Sequence, residues 1–380
     1  MSIFRQVIDT VRLLPIGGPG VCNLAVTNVC NARCDFCNYA WNKKHVKEKI
    51  WIDYDEFRQA VDILYDRGIR FMTLVGGEPT LHPKILDIVA QAAEKGIHPT
   101  IVTNGSLLTP AFARELKASG LKTLFVSIDS SSAESHEKNR GLPGVCERIR
   151  EANRECVRLE MKTVASVTIN RLIESYPALL RFLLELGIRT VNFAYPKREL
   201  HSPALSFSHN SELIDYDAGE LIHALETIKS LKDSFSILNS REALAEILRF
   251  ACKDDQIYPC FAGYKYFYLD YHLDVYRCDF WPTRMGSVHE FRDTPFVREH
   301  CTRCISGCYR DASVLMHAGV SLGDAIQCLH RGDLSSAVRH LGKRTNFRSI
   351  KTLAQDWTTL RKLARTHQSV LRDRECLCGK

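Results

Sequence analysis

A chain of 380 residues with 45% hydrophobic and 25% charged side chains can bury a sizeable core. No stretch approaches eighteen uninterrupted apolar residues, and Arg5 and Arg12 break the run a secretory leader needs, so neither a spanning helix nor a leader is expected and the cytoplasm is the default location. The net charge of +7 is uneven: residues 331–380 carry 12 Lys or Arg against 4 Asp or Glu, and the other 330 residues are close to neutral. Such a tail suits nucleic acid, an anionic membrane surface or an acidic partner; its ordinary reading is a solvated helical face.

In chain order, Phe4, Val7, Ile8 and Val11 fall at helical spacing and predict a short amphipathic helix over 2–14. Pro15–Gly20, with two prolines and three glycines, reads as a linker, closing an N-terminal segment of residues 1–20. Short apolar runs then alternate with helical patterns. Strands are expected at Val21–Thr27, Arg70–Val75, Thr100–Thr103, Thr123–Ile128, Thr163–Ile169 and Thr190–Tyr195, and helices near 54–67, 83–95, 110–119, 144–159 and 177–186. Gly68, Gly96, Gly120 and Gly187 stand just past four of these helices, where a left-handed cap is wanted. The fold class that follows is α/β: a partial (β/α)6 barrel of the TIM type over 21–195, with ligands at the carboxyl ends of its strands. Residues 196–255 read as a helical connector around a strand at Phe235–Ile237, 256–310 as a small β-hairpin domain, and 311–380 as a basic helical extension with helices at Ser321–Leu329, Leu334–Leu341 and Thr352–Leu363.

Fifteen cysteines in a chain this long, at least eight of them in two clusters, indicate intracellular metal binding rather than a disulfide framework. The first cluster, Cys30, Cys34 and Cys37, forms a C-x3-C-x2-C run directly after the first strand. Thiolates suit iron–sulfur clusters, zinc and copper(I). A closed zinc site wants a fourth ligand nearby, yet the next cysteine is Cys146 and the next histidine His45. Gly76-Gly77-Glu78-Pro79 follows the second strand, Thr103-Asn104-Gly105 ends the third, and Ser127-Ile128-Asp129-Ser130 ends the fourth.

This set resembles the signature of the radical S-adenosylmethionine (radical SAM) superfamily. The resemblance implies a [4Fe–4S] cluster on three cysteines with S-adenosylmethionine on its open iron. It also implies contacts from Gly76, Gly77, Glu78 and Pro79 to the cofactor's methionine, and from Asn104, Ser127 and Asp129 to its adenosine side. Arg140 stands where members of the family often carry a fixed arginine. Ser166, Thr168 and Asn170 alternate toward one face of the fifth strand, Thr168 being the expected cofactor contact. Phe36, Tyr39 and Trp41 are candidates to stack on adenine or to pack as a lid.

The second cluster has Cys260 and Cys278 at the two ends of a hairpin, then Cys301, Cys304 and Cys308. It resembles the auxiliary-cluster domain called SPASM, or its shorter form, twitch, although Leu273 stands in the turn where glycine is common. One auxiliary [4Fe–4S] cluster on Cys260, Cys278, Cys301 and Cys304 is expected, with Cys308 spare or substituting; the alternative is a zinc ribbon. Together these features imply a radical SAM oxidoreductase. Reduction of the sulfonium would give a 5′-deoxyadenosyl radical that takes hydrogen from a small molecule, a net dehydrogenation helped by the auxiliary cluster, with a flavodoxin- or ferredoxin-like electron donor. Peptide maturation, RNA or lipid modification, and a zinc-stabilised nucleic-acid-binding protein are the competing readings. The near-neutral body makes a broad nucleic-acid face unexpected. Tyr195, Lys197 and His201 are candidates for a base by position alone.

Overall fold

Strand β1 (Val21–Thr27) is buried from Leu24 to Thr27 on both faces, as a parallel strand covered on two sides must be. The computed structural model describes residues 9, 17–197, 210–299 and 301–357. Strands β2 (Phe71–Gly76), β3 (His98–Thr103), β4 (Thr123–Ser127), β5 (Lys162–Thr168) and β6 (Thr190–Ala194) pair in parallel in chain order. Helices α1 (Tyr54–Arg67), α2 (Ile85–Lys95), α3 (Pro110–Ala118), α4 (Ala133–Arg140), α5 (Val145–Arg158) and α6 (Tyr176–Glu185) connect them. Gly68, Gly96, Gly120 and Gly187 all have positive φ. Helix α4 was not expected, because it carries no apolar stripe: its buried residues are His136 and Arg140.

The segment read as a connector continues the sheet. Between α7 (Ala218–Ser230) and α8 (Arg241–Ala251), β7 (Ser236–Ile237) pairs in parallel with β6. On the far side of β1 the hairpin joins the same sheet: β8 (Tyr266–Leu269) lies parallel to β1 with Val21 opposite Tyr266, and β9 (Asp274–Tyr276) and β10 (Arg284–Ser287) follow antiparallel. The result is one ten-stranded sheet in the order β10-β9-β8-β1-β2-β3-β4-β5-β6-β7.

Leu273 takes φ 60° in the β8–β9 turn, which explains why glycine is common at such a place. Its side chain is 2% exposed within the main core, so burial favours leucine there despite the backbone cost. Helix α9 (Gly307–His330) starts earlier than the expected Ser321. It is followed by α10 (Leu334–Leu341) and a helical run over 344–357. The expected helix at 2–14, apart from Asp9, and the end of the one expected at Thr352–Leu363 lie outside the described residues, as do His201, Cys376 and Cys378. No described helix is long and apolar enough to cross a membrane.

Candidate functional site

The carboxyl ends of the strands open into one cavity. Its wall includes Cys30, Cys34 and Cys37 with Phe36, then Gly76, Gly77 and Glu78 after β2, Asn104 after β3, Ser127 of β4, Ser166 and Thr168 of β5, and Arg140 from α4. Of the cofactor contacts expected from the sequence, Pro79, Tyr39 and Asp129 are buried behind this wall. Asn170 is buried as well, its amide donating to the Asp129 and Thr168 carbonyls, and Trp41 is 60% exposed on the surface.

Neighbouring strand ends hold the cysteine loop in place. Asn31 is bonded to Ser106 and Asn104 at 2.9 Å each, the Arg33 amide donates to the Arg140 carbonyl at 2.8 Å, and the Asp35 amide donates to Asn139 at 3.2 Å. The glycine pair is needed by the same packing. A Cβ on Gly76 would lie 2.2 Å from the Thr27 carbonyl oxygen and one on Gly77 2.1 Å from that of Val29, so only glycine lets β2 end against the root of the loop. Glu78, 1% exposed, accepts from the Thr80 amide and hydroxyl, the Thr103 hydroxyl and the Asn104 amide. Burial raises its carboxyl, against these four donors.

Asp129 orders the opposite side. Its carboxylate accepts from Arg140 at 2.5 Å and Asn139 at 2.9 Å, and its amide donates to His136. Burial pushes this carboxyl up, but the Arg140 guanidinium outweighs it and holds the group below the usual range. Burial takes His136 down to about 4, leaving a neutral ring.

Burial also pushes the Cys30 thiol up to about 12 and raises Cys34 and Cys37. Thiolate at these positions therefore needs a strong positive centre beside it, as a metal cluster provides. The Cys34 sulfur interacts electrostatically with both of its companions. Three soft donors on one cavity wall, next to a glycine-lined approach, fit a cluster with an open position.

In the second cysteine group, Cys260 and Cys301 face each other across an isolated β-bridge, Cys278 follows β9 and Cys304 precedes α9. Cys260 interacts electrostatically with Cys301, and Cys278 with both Cys260 and Cys304. Burial raises Cys278 to about 12 and Cys304 to about 11. Among the described residues no three ligating side chains close round a single point, so both groupings rest on these shared walls and interactions. Arg310, 1% exposed, braces the second group, donating to the Cys301 carbonyl and to buried Glu246 at 3.2 Å each.

Cys308, in the first turn of α9, lines the same cavity as Cys30, Cys34 and Cys37, and so does a polar cluster that sequence reasoning did not assemble. Lys197 donates to Asp279 at 3.1 Å and to Ser306 at 3.0 Å, and Ser306 donates to the other Asp279 oxygen at 3.1 Å. Burial works against the Lys197 charge, but Asp279 opposite holds it as an ammonium. In the sequence, position alone singles out Lys197, and the one signal for Asp279 is a carboxylate directly after Cys278. Tyr195 also reaches the wall, with its hydroxyl bonded to Asp311 and Asn239 behind it. Burial raises Asp311 to about 7.

Residues 24–183 match the family described as the Radical SAM superfamily. The AdoMet-dependent heme synthase of Methanosarcina barkeri is 34% identical over 123 residues, 32% of this chain and 35% of that protein. The matches to the first curated relatives span about a third to a half of those proteins' own length. Among solved structures, SuiB of Streptococcus suis bound to S-adenosylmethionine superposes with a TM-score of 0.56 at 17% identity, covering 77% of this chain and 70% of that one. The protein anSMEcpe with bound AdoMet gives 0.53 at 13%, covering 91% and 98%. At these identities the two structures speak for the fold.

Proposed function

From the match of residues 24–183 to the radical SAM superfamily we propose that the chain is a radical SAM oxidoreductase that dehydrogenates a small molecule with the help of a second iron–sulfur cluster. Cys30, Cys34 and Cys37 would hold the first [4Fe–4S] cluster, and Cys260, Cys278, Cys301 and Cys304 the second. When bound, the first cluster with S-adenosylmethionine supplies reductive cleavage of the sulfonium and removal of a substrate hydrogen atom.

The observation that carries the reading is that one cavity is lined at one side by the three-cysteine loop and at another by Lys197, Asp279, Ser306 and Cys308, with Asp279 the direct neighbour of Cys278. Phe36 and the glycine pair shape the cofactor side. Arg140, fixed by Asp129, sets positive charge beside the thiolates. On the other side, Asp279 accepts the proton that an alcohol or amine releases on oxidation, and Lys197 and Ser306 hold its two oxygens in place. A second cluster on the cysteine group to which Cys278 belongs would supply an acceptor for the remaining electron.

The test is iron, sulfide and zinc content of anaerobically purified protein, with dithionite-dependent 5′-deoxyadenosine release. About eight irons per chain, falling to about four when Cys260 and Cys278 are both changed to Ala, support two four-iron clusters. About four irons in the wild type would remove the second cluster and with it the argument for oxidation. Zinc without iron or sulfide after reconstitution would sink the enzymatic reading.

A further inference from the structure

Among the described residues, seventeen large hydrophobic side chains are exposed, and ten of them lie between 322 and 357. The other seven are scattered and need no explanation. In α10, Leu334, Val338 and Leu341 recur at i, i+4 and i+7 and are 66%, 61% and 47% exposed, while the buried residue of the helix is Ala337. The run over 344–357 is inverted more fully. It faces the body with Asn346, Ser349 and Thr352, all buried, and turns Phe347, Ile350 and Trp357 outward at 69%, 55% and 66% exposure.

The inverted face is held in place by polar bonds. Asn346 donates to the His340 and Leu341 carbonyls, Ser349 to the Val314 carbonyl at 2.7 Å, and Thr352 accepts from the Glu242 amide. An ordinary amphipathic helix buries its apolar stripe; these two present theirs to the outside. Arg344, Arg348 and Lys351 are exposed on the adjacent face of the same run. Residues 331–357 carry six Lys or Arg against two Asp or Glu, with Arg348 3.7 Å from Glu242.

We propose that α10 and the 344–357 helix form an interfacial docking surface for an anionic lipid bilayer, with the apolar stripes entering the headgroup boundary and the basic side chains facing lipid phosphates. The pairing of Trp, Phe, Leu and Ile on one face with Arg and Lys beside it is what binding in the plane of a membrane requires. Charge complementarity selects this occupant. A second copy would set two basic surfaces against each other, and a nucleic acid would leave the aliphatic stripes in water.

The full chain, purified anaerobically, is floated with vesicles of phosphatidylcholine, with and without phosphatidylglycerol. The wild type is expected to rise with the anionic vesicles at least ten times more than with the neutral ones, and to be released at high salt. The variant Val338→Glu/Phe347→Glu/Ile350→Glu should lose that flotation at least tenfold. Its iron content and 5′-deoxyadenosine release should stay at wild-type levels, which shows it folded. A second variant, Arg344→Glu/Lys351→Glu, leaves the apolar face intact and should lose the preference for anionic vesicles. Wild-type protein that stays at the bottom with both vesicle types overturns the proposal. So does a dimer that the first variant converts to monomer, salt-dependent RNA binding without flotation, or flotation that neither variant changes.

Discussion

The two cysteine groups are built by opposite means. Cys30, Cys34 and Cys37 sit on one loop of eight residues, and the fold's work is to hold that loop, through Asn31, Arg33 and Asp35, against the ends of β3 and α4. Cys260, Cys278 and the Cys301–Cys304 pair come from three places in the chain, so the fold's work there is to bring these segments together, through a β-bridge, a hairpin and the start of α9. Each group has a buried arginine–carboxylate brace beside it: Arg140 with Asp129 at the first, Arg310 with Glu246 at the second. A local motif tolerates a loose surround better than a site assembled from distant pieces.

The largest test removes ligands from each group. Changing Cys30, Cys34 and Cys37 to Ala should abolish 5′-deoxyadenosine release, whereas Cys260→Ala/Cys278→Ala should retain it while losing substrate oxidation, read by quantifying both products. Loss of both activities in both variants would break the division of labour between the groups. Next come the braces. Arg140→Ala or Arg310→Ala leaves a buried carboxylate without its partner, and each should cost about 3–5 kcal/mol in urea unfolding. Gly77→Ala places a methyl group against the Val29 carbonyl and should lower iron content at the first group alone, since the collision is with the root of that loop.

The pH responses should differ in sign. Asp129 is held below the usual carboxyl range, so its contribution is present above about pH 4 and lost as pH falls further. Asp311 is raised to about 7, so its contribution is full below the ordinary carboxyl pKa near 4 and disappears as pH rises through 7. Hydrogen exchange should therefore show α4 loosening in acid and the start of α9 loosening toward pH 8, with Asp311→Asn flattening the second response. The smallest effect is at the hairpin. Leu273→Gly relieves about 1 kcal/mol of left-handed strain but removes a buried leucine that contributes about 2–3 kcal/mol. Net destabilisation of about 1–2 kcal/mol in the same unfolding assay is expected.

What could be read in advance follows the same division. The six strands, five of the helices and their glycine caps were legible because periodicity and capping are local. Helix α4 was not, since its role is to carry Asn139 and Arg140 to Asp129 rather than to bury an apolar stripe. Nor was the Lys197, Asp279 and Ser306 cluster, whose members are spread over 109 residues and meet only because α9 begins where β6 ends. The hairpin was visible as a hairpin; its parallel pairing with β1 was not, because nothing in either segment specifies a partner so far away. The basic tail showed its charge, while its outward apolar face became plain only with Asn346, Ser349 and Thr352 seen buried.

The pairing of β8 with β1 also sets a timetable. During synthesis β1 emerges long before the segment that covers its free hydrogen-bonding edge, Tyr266–Leu269, which is made some 240 residues later. At ordinary translation rates that is a wait of about 10–50 s. Through that interval the nascent barrel carries an open, apolar edge along Val21–Leu24, the kind of edge that recruits foreign strands. A chain stopped before residue 266 would keep that edge for good, so premature termination should yield aggregates rather than a smaller working barrel.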